Sequence, residues 1–277
     1  MQNYLRKTGG FQTKKENRLR YLLDNNLPSV ATRIESTWPT MVEIVGSTGK
    51  YDYIEFVAEY APYSLVDFEN ICRATELYNM ASMIKVDFQN RAYVAQKAMA
   101  SGFQSVLLVD HKTPDEVREF LHVLKPDRPQ DMGRFGYPNS RWIGYQPHNP
   151  QMDYADMVKN TVVALMIEKK EAMDNIEEIC SIPGVDMVQF GPSDYSMSCG
   201  FNMKDHLEEC KAAERKMIEV ALKHGVQPRC EIYTAEDAKY YMDLGVKHFC
   251  IGDELKIVTT YWSQTGADIR ALADTLK

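Results

Sequence analysis

Val162-Val-Ala-Leu-Met-Ile167 is six apolar residues that run straight into Glu168. A short apolar, β-branched run of this length reads as a strand buried on both faces, and the charge at its end marks where the chain leaves the core. The pattern recurs on either side. Candidate strands lie at Ser29–Ile34, Tyr53–Ala58, Ser82–Val86, Ser105–Val109, Val162–Ile167, Met187–Phe190, Pro228–Ile232 and His248–Ile251. Helical patterns separate them. Thr113-Pro-Asp-Glu116 supplies an N-cap, a first-turn proline and acids suited to the helix dipole, and Val117, Phe120, Leu121 and Leu124 follow at helical spacing. Met203–His224 is expected to form the longest helix, closed by Gly225, and Thr234 opens another. The segment 254–276 is amphipathic, with Gly266 as an expected interruption.

Strands alternating with helices predict a parallel sheet. An open doubly wound sheet would carry a glycine-rich phosphate loop after its first strand, but here that strand runs into Arg33-Ile-Glu-Ser-Thr-Trp38. The expected fold is therefore an α/β (β/α)8 TIM barrel. It forms a single domain over 27–277, preceded by an arm and helix at 1–26. The 277 residues exceed the ~250 typical of that fold. A long insertion, Lys125–Asp156, separates the fourth and fifth strands.

A net charge of −7 without basic clusters speaks against nucleic acid or an acidic membrane as partner. No leader or apolar span of about 18 residues is read, so the expected location is the cytoplasm. Six scattered cysteines without a C-x-x-C pair read as reduced thiols.

In a barrel, chemistry gathers at the carboxyl ends of the strands. Those ends carry Arg33 and Glu35, Glu59 and Tyr60, Lys85 and Asp87, Asp110 and His111, Glu168, Asp194, Glu231 and Asp253. Any one of them has a plain structural alternative as a helix cap or a rim ion pair. As a set, a cup dominated by carboxylates suits a hard divalent cation such as Mg2+ or Mn2+, with Co2+ a further option. Glu168 and Asp194 stand out. The first ends an apolar run, and the second sits in Phe190-Gly-Pro-Ser-Asp194, a turn whose amides suit an anion.

Met166-Ile-Glu168-Lys-Lys, Asn175-Ile-Glu-Glu-Ile, Pro183-Gly-Val-Asp186 and Gly191-Pro-Ser-Asp194-Tyr-Ser together resemble the HpcH/HpaI aldolase family, metal-dependent lyases of the phosphoenolpyruvate/pyruvate superfamily. The likeness spans roughly 28–252. It implies that Glu168 and Asp194 ligate one divalent metal and that the substrate is a 2-oxo acid. It further implies that Gly191, Pro192 and Ser193 hold the substrate carboxylate through backbone amides, and that the protein is a homo-oligomer, a hexamer whose C-terminal helix packs on a neighbour. Arg134, in the long insertion, matches a family loop that covers the site, and Glu59 is expected to orient a metal-bound water.

The sequence departs from that family around the substrate. Where typical members read Asp-x-Glu-His-(Ala/Gly)-Pro, this chain has Val57-Ala-Glu-Tyr60-Ala-Pro62, so the acid/base histidine is a tyrosine. The strand-three arginine is Lys85, which stabilises an enolate oxygen as a point charge without a bidentate fork. Tyr60 or His111 is then expected to move the proton. The expectation is a metal-dependent carbon–carbon lyase acting on a 2-oxo acid. Its rivals are a β-oxo-acid decarboxylase on the same site and a non-catalytic barrel that binds oxo acids through the metal.

Overall fold

The computed structural model describes residues 16–138, 140–143, 145 and 150–276. Residues 1–15, most of the expected arm, and part of the insertion lie outside them. Eight parallel strands close in sequence order into a barrel. They are β1 (Ser29–Ile34), β2 (Tyr53–Val57), β3 (Ala81–Val86), β4 (Ser105–Leu108), β5 (Val162–Ile167), β6 (Met187–Phe190), β7 (Gln227–Ile232) and β8 (His248–Asp253). The TIM-barrel expectation holds, with strand ends shifted by a few residues.

The helices are α1 (Arg18–Asp24), α2 (Pro39–Ser47), α3 (Leu65–Leu77), α4 (Arg91–Ser101), α5 (Pro114–Leu124), α6 (Gln151–Lys159), α7 (Lys170–Asp174), α8 (Ile176–Ser181), α9 (Pro192–Ser198), α10 (Leu207–Lys223), α11 (Ala235–Asp243) and α12 (Glu254–Asp274). Thr113 and Thr234 both form capping boxes, with Glu116 and Asp237 returning the bond. The longest helix is α12, not the 203–224 segment, which opens with a separate turn at Met203–Asp205. Gly266 does not interrupt α12, because a lone glycine costs a helix only about 1 kcal/mol. Helix α6 begins within the insertion and runs past its end.

Side chains on a strand alternate between the lumen and the helix layer. The outward set, including Ile34, Phe56, Ile84, Val106, Leu165 and Val188, packs beneath the helices. The luminal set, Ala31, Tyr53, Ala81, Met83, Leu107, Val109, Ala164, Met166, Met187 and Cys250, fills the barrel. Leu19 of α1 joins this luminal cluster, and Arg20 clasps Asp186 with bonds of 2.8 and 2.6 Å. The helix at 18–24 therefore packs onto the barrel. Among the described residues no helix is long and apolar enough to cross a membrane.

Candidate functional site

The alternation that fills the lumen also aims the polar residues at its mouth. Two residues beyond luminal Met83 comes Lys85; two beyond Met166 comes Glu168; two beyond Ala31 comes Arg33. A strand of the right register thus delivers a polar residue to the carboxyl end without special local structure.

Glu168 is 3% exposed. Its Oε1 accepts the Asp110 backbone N–H at 2.8 Å. Burial pushes its carboxyl up to about 7, helped by Asp110 and Asp194 and opposed by Lys85 and the Asp110 N–H. Gly191 packs directly against it: a Cβ there would lie 2.8 Å from Glu168 Cβ and 2.9 Å from Oε2. Asp194 sits in the first turn of α9. Lys169 Nζ lies 2.5 Å from Asp110 Oδ1 and 3.9 Å from Asp194 Oδ1.

Lys85 Nζ pairs with Glu59 Oε2 at 2.6 Å, both side chains nearly buried. Burial alone would lower the lysine; Glu59 and Glu168 more than offset it and hold the ammonium above its ordinary value. Glu59 is thus engaged by Lys85 through Oε2. Tyr60 stands at the rim, its ring 5.3 Å from Lys85 Nζ. Partial burial, Glu59, Asp194 and Glu168 all push its phenol upward, so it stays protonated.

Two expected residues are not brought to this cluster. His111 is fully buried, and the charged groups acting on it are Glu116, Arg91 and Asp110 rather than the mouth carboxylates Glu168 and Asp194. The cause is Asp110, whose φ of 57° breaks the strand alternation and turns the next side chain into the helix layer. Arg134 lies along α5, its guanidinium on Glu119 and its backbone N–H on His122 O at 2.7 Å. It does not cover the strand ends. Of the expected backbone donors, Pro192 has no N–H and the Gly191 N–H is taken by Ile167 O at 3.0 Å. Ser193 and Asp194, in the first turn of α9, keep N–H groups that the helix itself cannot satisfy.

Sequence reasoning overlooked Lys169 as a member of the cluster, although it directly follows Glu168. It also overlooked the luminal pair Glu55–Arg229, both fully buried, with Gln189 accepting from the arginine. Strand alternation from Tyr53 would have placed Glu55 inward.

Hard carboxylate oxygens, one of them desolvated and held by a single backbone donor against a glycine that leaves no room for a Cβ, fit a divalent cation. Among the described residues no group of three potential ligands forms. The chain would supply Glu168 and Asp194, leaving the other positions to water or substrate.

Over 265 residues the chain is 23% identical to a 4-hydroxy-2-oxo-heptane-1,7-dioate aldolase of Escherichia coli, covering 95% of this chain and 98% of that one. A 2-keto-3-deoxy-L-rhamnonate aldolase of Escherichia coli is 25% identical over 170 residues, 61% of each chain. The fold is shared with an HpcH/HpaI aldolase from Desulfitobacterium hafniense DCB-2 (TM-score 0.83, 20% identity, 92% of this chain and 97% of that one). It is also shared with macrophomate synthase (TM-score 0.80, 16% identity, 94% and 91%). The HpcH/HpaI aldolase/citrate lyase family model matches residues 34–258, and the chain belongs to that family.

Proposed function

We propose that the protein is a carbon–carbon lyase that acts on a 2-oxo acid with a divalent metal, Mg2+ or Mn2+, held by Glu168 and Asp194. The observation that carries this reading is the buried carboxylate of Glu168 at the end of β5, fixed by Asp110 N–H at 2.8 Å and packed against Gly191, with the charges of Lys85 and Asp194 acting on it. When bound, the cation supplies Lewis-acid stabilisation of charge developing on the 2-oxo group. The Lys85 ammonium, kept charged beside Glu59, adds a second positive centre at that oxygen. The N–H groups of Ser193 and Asp194 orient the substrate carboxylate. Glu59, which the Tyr60 phenol touches, takes the aldol hydroxyl proton or a pyruvate methyl proton, and Tyr60 returns a proton to the enolate carbon; His111, fully buried, is assigned no part in the reaction.

A second reading, decarboxylation of a β-oxo acid, is supported by the state of Tyr60. A phenol held protonated cannot act as the base that an aldol hydroxyl requires and leaves that part to Glu59, whereas decarboxylation needs no base. Homo-oligomerisation, as a hexamer, is proposed on the exposed apolar residues of α12.

Calorimetry with Mn2+ and proton NMR of pyruvate in D2O test this. The native protein should bind the cation and exchange the pyruvate methyl protons. Glu168→Gln and Asp194→Asn should each weaken binding by about 100-fold or more and abolish exchange, consistent with loss of a charged ligand. Exchange that survives EDTA would refute the metal reading. Oxaloacetate turnover without aldol cleavage would select the second reading, and oxo-acid binding without any turnover would indicate a binding protein.

A further inference from the structure

Three carboxylates act on one ammonium on the β4/β5/β6 side of the mouth. The ammonium belongs to Lys169, and the acids are Asp110, Glu168 and Asp194. The lysine does not divide itself evenly among them. Its Nζ lies 2.5 Å from Asp110 Oδ1, a charge-assisted hydrogen bond, but 3.9 Å from Asp194 Oδ1, beyond hydrogen-bond reach. The lysine side chain is only 16% exposed, so water does little to screen it from either acid.

Backbone geometry holds this arrangement. Asp110 stands at φ 57° with its N–H on Glu168 Oε1 at 2.8 Å, so the acid that takes the lysine is anchored to the metal-site carboxylate on β5. On the other side, Lys170 N–H donates to Ser198 Oγ at 2.9 Å and ties the end of β5 to α9, the helix that carries Asp194. Lys169 is thus confined between two acids, and it bonds Asp110. Asp110 is not itself a third ligand, since among the described residues no group of three potential ligands forms.

We infer that Asp110 is a positioning residue of the metal site: its carboxylate draws the Lys169 ammonium off Asp194 and leaves the Asp194 carboxylate open to the cation. This rests on the metal-dependent reading above. Without the Asp110 charge, the next acid within reach of Lys169 is Asp194, and an ammonium settled there competes with the cation for the same oxygens. A plain rim ion pair behaves otherwise: loss of the Asp110 charge then lowers cation affinity by the same factor whether or not Lys169 is present.

A double-mutant cycle read by Mn2+ calorimetry separates the two. Asp110→Asn removes the charge and keeps the backbone, because asparagine also tolerates a positive φ and retains the N–H on Glu168. In the native background it should weaken Mn2+ binding by about tenfold or more. In the Lys169→Met background, with no ammonium left to release, the same substitution should weaken binding by about threefold or less. Asp110→Gly, at ease at the same φ, stands in if the asparagine variant does not fold. Equal losses in the two backgrounds, a larger loss beside Lys169→Met, or no loss at all would overturn the positioning role and leave the metal reading standing. A native protein that binds no Mn2+ would overturn both.

Discussion

The backbone N–H of Asp110 reaches Glu168 Oε1 at 2.8 Å because Asp110 adopts a left-handed conformation, with φ at 57°. Aspartate tolerates this region better than most residues. The same residue holds Lys169 Nζ at 2.5 Å, so one backbone position both orients the buried carboxylate and parks a cation beside it.

The parked cation has a measurable consequence. An ammonium 3.9 Å from Asp194 repels a second positive charge at the carboxylates. Lys169→Met should tighten Mn2+ binding by about tenfold, roughly 1.4 kcal/mol. Titration calorimetry reads this directly, and equal or weaker affinity would count against it.

Gly191 should be intolerant of any side chain. Its Cβ would enter within 2.9 Å of both Glu168 Cβ and Oε2. Gly191→Ala should displace the carboxylate, costing about 1–3 kcal/mol of stability and most of the activity. An alanine variant with native Tm and native turnover would show that Glu168 moves aside freely.

Two buried histidines predict acid sensitivity. Burial, with Arg91 near His111 and Lys247 and Arg229 near His248, lowers both from 6.5 to about 4 against the opposing pull of Glu116 and Asp110 on the first and Asp52 on the second. Their folded values lie below the unfolded one, so the unfolded chain binds more protons in between. Their stabilisation is complete above pH 6.5 and lost as pH falls towards 4, by about 3 kcal/mol each. Urea denaturation from pH 7 to 4.5 should show it. His248→Gln, whose amide can keep the 2.8 Å contact with Ser29, should flatten the slope.

Helix α12 leaves Tyr261, Trp262, Ile269 and Leu272 each more than half exposed. This apolar face is where the proposed homo-oligomer would pack. Trp262→Glu with Leu272→Glu should convert the assembly to monomers in light scattering after gel filtration; an unchanged mass would remove α12 from the interface.

Much of this was legible in the chain itself. Apolar runs of strand length, helices between them and carboxylates at their ends are local patterns, and local patterns fix which elements form. Glu168 could be located because Met166 and Ala164 share its face, a period-two relationship that needs no knowledge of distant residues. Thr113 and Thr234 announced their helices for the same reason: a cap is completed within four residues.

Tertiary structure decided what the mouth residues meet. His111 looked like a rim base, but one positive φ at Asp110 turned it into the helix layer. Arg134 looked like part of a covering loop, but Glu119 holds it against α5. The pairing of Arg33 with Glu231 joins positions 198 residues apart, and that of Asp110 with Glu168 joins positions 58 apart. Sequence by itself determined the barrel and the strand ends at which chemistry can occur, because backbone periodicity is set by near neighbours. Which charges neutralise one another there depends on how the sheet pairs and closes: pairing of β4 with β5 sets Lys169 beside Asp110, and only the closed barrel brings β1 against β8.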